Sequence, residues 1–323
     1  MRAVVLEKPC TAEELVVREV PMPIVKQGWV LVKIKAFGIN RSEIFTRQGD
    51  SPSVKLPRII GIECAGVIED PSDSSYQQGQ RVVSLMGGLG REFDGSYAEY
   101  ALIPSSQVYP ITNDMDWVKL AAIPEMYYTA YASLFDTLRL MKGETLLIRG
   151  GTSSVGLAAL QLAKSIGATV ISTTRNANKL EFLKQYGADF VLLENKSLSE
   201  QLFTPFPNGV NKVLELVGTV TLKESLKLLS QHGILCMTGI LGGEWVLDNF
   251  EPMMDIPSGA YFTQFDSGEN FKEKLLVEMF KHIEQHEINV PIAQVFPLDE
   301  IHKAHVLMEN NKANGKIVVT IPD

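Results

Sequence analysis

The chain has 323 residues, a formal net charge of −8, 45% hydrophobic and 21% charged residues. That length is about twice a common single domain and predicts two domains with sizeable cores. The acidic balance excludes a nucleic-acid backbone as the main partner, because phosphates require a basic surface, and no run of about 20 apolar residues predicts a membrane span.

In chain order, residues 1–117 read as β-rich. Ala3-Val4-Val5-Leu6 opens as a strand, and residues 29–36, 61–68, 81–86 and 97–102 follow as strands separated by Pro and Gly at short intervals. That texture predicts a small barrel or sandwich. Residues 118–139 read as helical. Strands and helices then alternate: strand 145–148, helix 155–166, strand 169–173, helix 178–186, strand 190–193, helix 198–203, strand 212–216, helix 220–229 and strand 234–238. This is the βαβ rhythm of a parallel sheet covered by helices, an α/β domain. After about residue 262 the rhythm stops. Phe271, Leu275, Leu276, Met279, Phe280 and Ile283 form one apolar stripe on a helix, and a short strand, a helix at 298–308 and a strand at 316–321 close the chain.

Cys10, Cys64 and Cys236 lie far apart and form no Cys-x-x-Cys pair. This excludes a disulfide framework and a four-cysteine zinc site. With no signal-like apolar run at the N-terminus, the sequence predicts a cytoplasmic protein.

The run Leu146-Leu147-Ile148-Arg149-Gly150-Gly151-Thr152-Ser153-Ser154-Val155-Gly156 reads as a strand, a tight turn and a helix start. A dinucleotide diphosphate requires that geometry, with backbone N–H groups and a helix N-terminus facing its oxygens. Gly151 supplies the turn, Gly156 permits close helix–strand packing, and Ser153 stands where the middle glycine of the usual pattern falls. About 20 residues further on, a carboxylate selects NAD by holding the ribose hydroxyls, whereas a cation accommodates the 2′-phosphate of NADP. Thr174 sits at that offset. No Asp or Glu occurs over residues 168–180, while Arg175 and Lys179 do. A guanidinium fork and an ammonium suit a phosphate, so the sequence predicts NADPH. Gly218 and Gly239 fall at the C-terminal ends of later strands and read either as ligand contacts or as plain strand-to-loop turns.

The chain resembles the zinc-independent quinone oxidoreductases of the medium-chain dehydrogenase/reductase superfamily, nearly end to end. The resemblance rests on Met1-Arg2-Ala3-Val4-Val5-Leu6, Gly38-Ile39-Asn40-Arg41-Ser42-Glu43, Arg47-Gln48-Gly49, Gly61-Ile62-Glu63-Cys64-Ala65-Gly66-Val67, Gly95-Ser96-Tyr97-Ala98-Glu99-Tyr100, Ala121-Ala122-Ile123-Pro124, the turn at 150–156, Ala304-His305 and Asn314-Gly315-Lys316-Ile317-Val318-Val319. It implies a GroES-like β-rich catalytic domain over residues 1–117, a Rossmann NADP-binding domain over 118–262, and a C-terminal return to the catalytic domain over 263–323. It also implies a homodimer built through the Rossmann sheets. By position, Asn40 resembles the family asparagine near the nicotinamide, Thr129 the threonine that contacts the cofactor, and Lys316 the lysine of the Gly-Lys motif. Ser154, Val155 and Gly156 match the diphosphate turn. In zinc-containing relatives a histidine stands at the position of Ile62 and a cysteine within the stretch matching 40–43. Ile62 cannot bind metal and residues 36–46 hold no cysteine, so no catalytic zinc is expected. Two positions depart from the family: Phe45 and Glu194 each stand where many relatives have tyrosine.

Hydride transfer to a carbonyl builds negative charge on oxygen. Without zinc, that charge needs hydrogen-bond donors or an easily reduced acceptor, and a quinone or an α,β-unsaturated carbonyl meets the second condition because conjugation spreads the charge. The expected activity is therefore NADPH-dependent reduction of a small-molecule quinone or enone. The alternatives are a 2-enoyl thioester reductase and a weakly catalytic NADPH-binding scaffold. Asn40 is the candidate positioning residue. Arg47 reads as a donor or a structural ion pair, and Tyr127 and Tyr128 as donors or a packing face. His282 and His286 form an i, i+4 pair that fits the helix end better than a metal, and His302 and His305 read as surface or interdomain residues.

Overall fold

The structure is a computed structural model that describes residues 1–195, 197–268 and 271–322. It divides into two compact units, Met1–Glu125 with Val290–Asp323, and Met126–Asn289.

In the first unit, β1 (Arg2–Leu6), β2 (Val17–Glu19), β3 (Trp29–Ile39), α1 (Arg41–Gln48), β4 (Arg58–Ile59), β5 (Glu63–Asp70), β6 (Arg81–Leu85), β7 (Tyr100–Pro104), β8 (Tyr109–Pro110) and α2 (Trp117–Ala121) follow in order. Its C-terminal part adds β15 (Ile292–Pro297), α10 (Ile301–Glu309) and β16 (Lys316–Thr320). The strands make a seven-stranded sheet in the order β15-β16-β3-β5-β6-β8, with β7 also on β3, and a three-stranded sheet β2-β1-β4. Strand β3 pairs antiparallel with β16, β5 and β7, and all its residues but Trp29, Lys33 and Lys35 are buried. Val32, Ile34, Phe37, Tyr97 and Ile317 lie in its core. The sequence pattern misses α1. Arg-Ser-Glu-Ile-Phe-Thr-Arg-Gln carries two adjacent apolar residues and no helical stripe, and the helix is closed by Gly49 in the left-handed region, φ 93°.

Helix α3 (Pro124–Tyr131) starts in the first unit, at Pro124 and Glu125, and continues in the second unit into a π-helical segment, Ala132–Thr137. Then come β9 (Thr145–Arg149), α4 (Ser154–Ser165), β10 (Thr169–Thr174), α5 (Leu180–Gln185), β11 (Phe190–Leu193), α6 (Leu198–Phe203), β12 (Val210–Glu215), α7 (Thr219–Lys227), β13 (Leu229–Met237), α8 (Pro252–Asp255), β14 (Tyr261–Gln264) and α9 (Glu273–Gln285). The six strands are parallel, in the order β11-β10-β9-β12-β13-β14. Counted from β9 this is 3-2-1-4-5-6, the order of a dinucleotide-binding sheet, and it reverses between β9 and β12. Strand β14 lies beyond the alternation legible in the sequence, because Tyr-Phe-Thr-Gln is short and follows a long connection. The apolar stripe of α9 buries Leu276, Met279 and Ile283. Among the described residues, no helix is long and apolar enough to cross a membrane.

Candidate functional site

At the C-terminal edge of the second unit's sheet, β9 ends at Arg149 and the chain turns through Gly150 and Gly151 into α4. Ser153 is the N-cap: its hydroxyl accepts from Gly156 N at 3.1 Å and donates to the Gly150 carbonyl at 2.8 Å. The serine in the middle-glycine position thus spends its side chain inside the turn. The first N–H groups of a helix have no intrahelical acceptor, so those of Ser154 and Val155 remain for a ligand while Gly156 is capped. Gly156 is required for packing. A Cβ there would sit 2.6 Å from the Gly150 carbonyl and 2.9 Å from two backbone atoms of Gly151. A Cβ on Gly151 would collide with Ser172 Oγ.

The tip of β10 is tied to this turn. Gly151 N donates to the Thr173 carbonyl at 3.2 Å, and Gly150 N donates to Thr173 Oγ1 at 3.3 Å. Thr174 is buried, Arg175 is exposed and Lys179 is half-buried. Burial lowers the Lys179 pKa from its ordinary value. Gly218, φ 97°, begins α7, and its N–H donates to Glu215 Oε1 at 3.1 Å. A Cβ on Gly218 would come within 2.9 Å of the Gly239 carbonyl. The structure therefore brings the 150–156 turn together with Thr174 and its neighbours, and Gly218 together with Gly239, along one sheet edge. Thr129 lies on α3 and is 7% exposed.

Glu194, a position where a carboxylate would oppose a phosphate, is not free. Arg149 holds it in a fork, Nε to Oε1 at 2.9 Å and Nη2 to Oε2 at 2.5 Å, and Thr173 Oγ1 donates to Oε1 at 2.7 Å. The sequence offered no sign of this partnership, because Arg149 looks like any strand-end charge.

The first unit carries a second cluster. Lys316 and Glu63 are both fully buried and meet at 2.5 Å. Asn40, the N-cap of α1, bridges them: Lys316 Nζ donates to its Oδ1 at 2.5 Å, and its Nδ2 donates to Glu63 Oε1 at 2.9 Å and Glu43 Oε1 at 3.3 Å. Glu63 Oε2 accepts from Glu125 N at 2.8 Å, in the first turn of α3 where a negative charge is favoured. Glu43 also accepts from Ser42 Oγ and from Ile62 N. Its burial outweighs the opposing pull of Lys316 and raises its pKa to about 7. Gly38 leaves the space for this cluster, since a Cβ there would overlap Lys316 Cε and Glu63 Oε1.

Two sequence expectations change in this unit. Arg47 is 1% exposed, donates to the Cys10 carbonyl at 3.1 Å and pairs with Glu309. Of its two sequence readings, the geometry matches the structural ion pair. His305 is not at the surface. It is fully buried, with Nε2 2.9 Å from Tyr97 Oη, and burial drives its pKa down to about 3. The apolar periodicity of α10 has room for a histidine whose ring replaces an apolar side chain, so its depth leaves no local trace.

In the second unit Tyr127 and Tyr128 are fully buried, with Tyr127 accepting from Gln161 Nε2 at 3.4 Å and Tyr128 from Lys272 N at 2.6 Å. His282 contacts Ser165 Oγ at 2.6 Å and stacks on His286, ring centroids 4.4 Å apart. Ile62 is buried. Among the described residues, no group of three or more His, Cys, Asp or Glu side chains is placed to hold a metal.

Two family models match the chain, the alcohol dehydrogenase GroES-like domain over residues 26–113 and the zinc-binding dehydrogenase over residues 154–271. The chain is 30% identical to the quinone oxidoreductase of Mus musculus over 231 residues, covering 69% of this chain and 68% of that one. It is 28% identical to the quinone oxidoreductase of Homo sapiens over 309 residues, 94% and 92% of the two chains. Among solved structures it resembles AibC, with a TM-score of 0.89 at 26% identity over 100% of this chain and 96% of that one. It also resembles a mycobacterial protein solved in complex with NADPH, with a TM-score of 0.87 at 26% identity over 99% of each chain.

Proposed function

Because the chain belongs to the medium-chain dehydrogenase/reductase superfamily of oxidoreductases, and is quinone oxidoreductase-like, we propose that it reduces quinones or α,β-unsaturated carbonyls with NADPH and without zinc. A nicotinamide cofactor follows from the dinucleotide-binding sheet; the choice of NADPH is our reading. One observation carries it. At the tip of β10, Thr174 is followed by Arg175 and Lys179, and the nearby carboxylate of Glu194 is neutralised by the Arg149 fork. A 2′-phosphate gains from the first feature and is spared repulsion by the second.

The residues present fit the coenzyme. The N–H groups of Ser154 and Val155 would hold the diphosphate, and Gly151 and Gly156 allow the turn to pack as closely as it does. Arg175 and Lys179 would hold the 2′-phosphate. Thr129, Gly218 and Gly239 are assigned to the same ligand. When bound, NADPH supplies a hydride. This chain's own part is to bind and orient. Asn40 spends its amide on Lys316, Glu63 and Glu43, so its role is to fix the start of α1 rather than to donate to substrate. Ile62, in place of a metal-binding histidine, favours an acceptor that delocalises its own charge. A homodimer joined at β14, the strand at one end of the six-stranded sheet, belongs to the same proposal.

The test is NADPH oxidation measured with 1,4-quinones, enones, 2-enoyl thioesters and simple aldehydes. Turnover of quinones or enones well above that of aldehydes is expected. Preference for the thioesters would assign the chain to thioester reduction, and NADPH binding with no turnover of any acceptor would assign it to a binding role.

A further inference from the structure

Arg149 is the last residue of β9 and is 1% exposed. Beyond its fork on Glu194, Nη2 donates to Glu224 Oε2 at 2.9 Å, and Nη1 donates to Ser225 Oγ at 3.0 Å and to the Thr221 carbonyl at 3.3 Å. These five contacts use the full set of guanidinium N–H donors. Arg149 therefore has no donor left for a ligand, although it lies at the edge of the sheet where a ligand is expected. Its action must pass through the groups that it holds.

Glu194 is the group that matters for an anion. Its backbone N–H donates to the Thr174 carbonyl at 2.9 Å, so the residue sits against the tip of β10. Its side chain is 14% exposed, and both carboxylate oxygens are engaged. Thr174 and Arg175, immediately beside it, are the positions at which such a sheet discriminates a ribose hydroxyl from a 2′-phosphate. An unpaired carboxylate there would repel a phosphate. A carboxylate forked on a guanidinium presents a reduced charge, and Arg149 gives Glu194 two of its N–H donors while giving Glu224 one.

We propose that Arg149 is a positioning residue for coenzyme choice: by holding Glu194 in a bidentate ion pair it keeps that carboxylate from opposing the 2′-phosphate of NADPH. This inference rests on the NADPH reading of the site. It assigns a specificity role to a residue that touches no coenzyme atom.

Dissociation constants for NADPH and NADH, measured by coenzyme fluorescence without substrate, test it in wild type, Arg149→Gln, Glu194→Gln and the double variant. Wild type binding NADPH more tightly than NADH is the premise; if it does not, the NADPH reading itself fails. Given that premise, Arg149→Gln is expected to lower the preference for NADPH by about tenfold, chiefly through NADPH. Glu194→Gln alone changes it by no more than about twofold, because its charge is already largely offset by the fork. The double variant recovers the wild-type preference, which a merely structural role for Arg149 would not produce. The proposal is overturned if Arg149→Gln leaves the preference unchanged or if the double variant does not recover it. Should Arg149→Gln fail to fold, Glu194→Gln decides: a rise in NADPH preference beyond about twofold shows that the carboxylate already opposes the phosphate, and overturns the proposal.

Discussion

Asn40 and Lys316, 276 residues apart in sequence, meet through a 2.5 Å hydrogen bond from Nζ to Oδ1, and Glu63 accepts from both. The first helix and the last strand of the first unit are thereby pinned to β5 at one buried charge pair. Removing one partner of such a pair leaves an uncompensated buried charge, at a cost of about 3–5 kcal/mol. Lys316→Met is expected to lose that much in urea unfolding, and Lys316→Met with Glu63→Gln to recover a large part of it. A loss below about 1 kcal/mol for the single variant would contradict the burial of the pair.

Glu43 and His305 give the first unit opposing pH dependences. Burial holds the Glu43 carboxyl up to about 7 from an ordinary 4.5. Between those values the folded chain keeps a proton that the unfolded chain releases, so this group costs stability as pH rises through the window. Burial holds His305 down to about 3 from 6.5. Between those values the unfolded chain takes a proton that the folded chain refuses, so stability falls as pH drops. Each contributes about 1.4 kcal/mol per pH unit within its window. Glu43→Gln should gain on wild type between pH 5 and 7, and His305→Gln should gain on wild type between pH 6 and 4, both read from urea midpoints. Parallel curves for either variant and wild type would show that the group does not link folding to pH in that window.

Gly156→Ala should be poorly tolerated, because the new Cβ meets backbone atoms of Gly150 and Gly151 that have no freedom to rotate away. A loss of about 1–3 kcal/mol is expected from such overpacking. Ser153→Ala removes the α4 cap and should cost about 1 kcal/mol. Because the Ser153 hydroxyl is spent inside the turn, the alanine variant should bind NADPH within about twofold of wild type once folded, a change below about 0.4 kcal/mol. Calorimetric titration against thermal unfolding separates the two effects.

Arg175→Ala and Lys179→Ala should each weaken NADPH binding by about tenfold while leaving NADH nearly unchanged. Equal losses for both coenzymes would mean that these cations support the fold or the diphosphate instead.

The second unit was the more legible of the two. Its alternating apolar strands and helices and the small residues at 150–156 announce a parallel sheet with a turn at its C-terminal edge, because that architecture imposes both a period and a spacing on the chain. Strand β14 was not legible, being short and set apart by the long connection after β13. In the first unit α1 was hidden by its polar sequence. The least legible features were the buried charges. Nothing in the local sequence marks Glu63, Lys316, Arg149 and His305 as buried, and what distinguishes them is a partner that is far away along the chain. Long-range pairing of this kind leaves no periodic trace. It also explains why Arg47, an attractive donor on residue type alone, is instead paired with Glu309 and the Cys10 carbonyl.

The most direct test of the coenzyme assignment is the dissociation constant of the wild-type protein for NADPH and for NADH, measured side by side at one ionic strength. NADPH is expected to bind more tightly, by about tenfold or more, through Arg175 and Lys179. Equal affinities, or tighter binding of NADH, would contradict it.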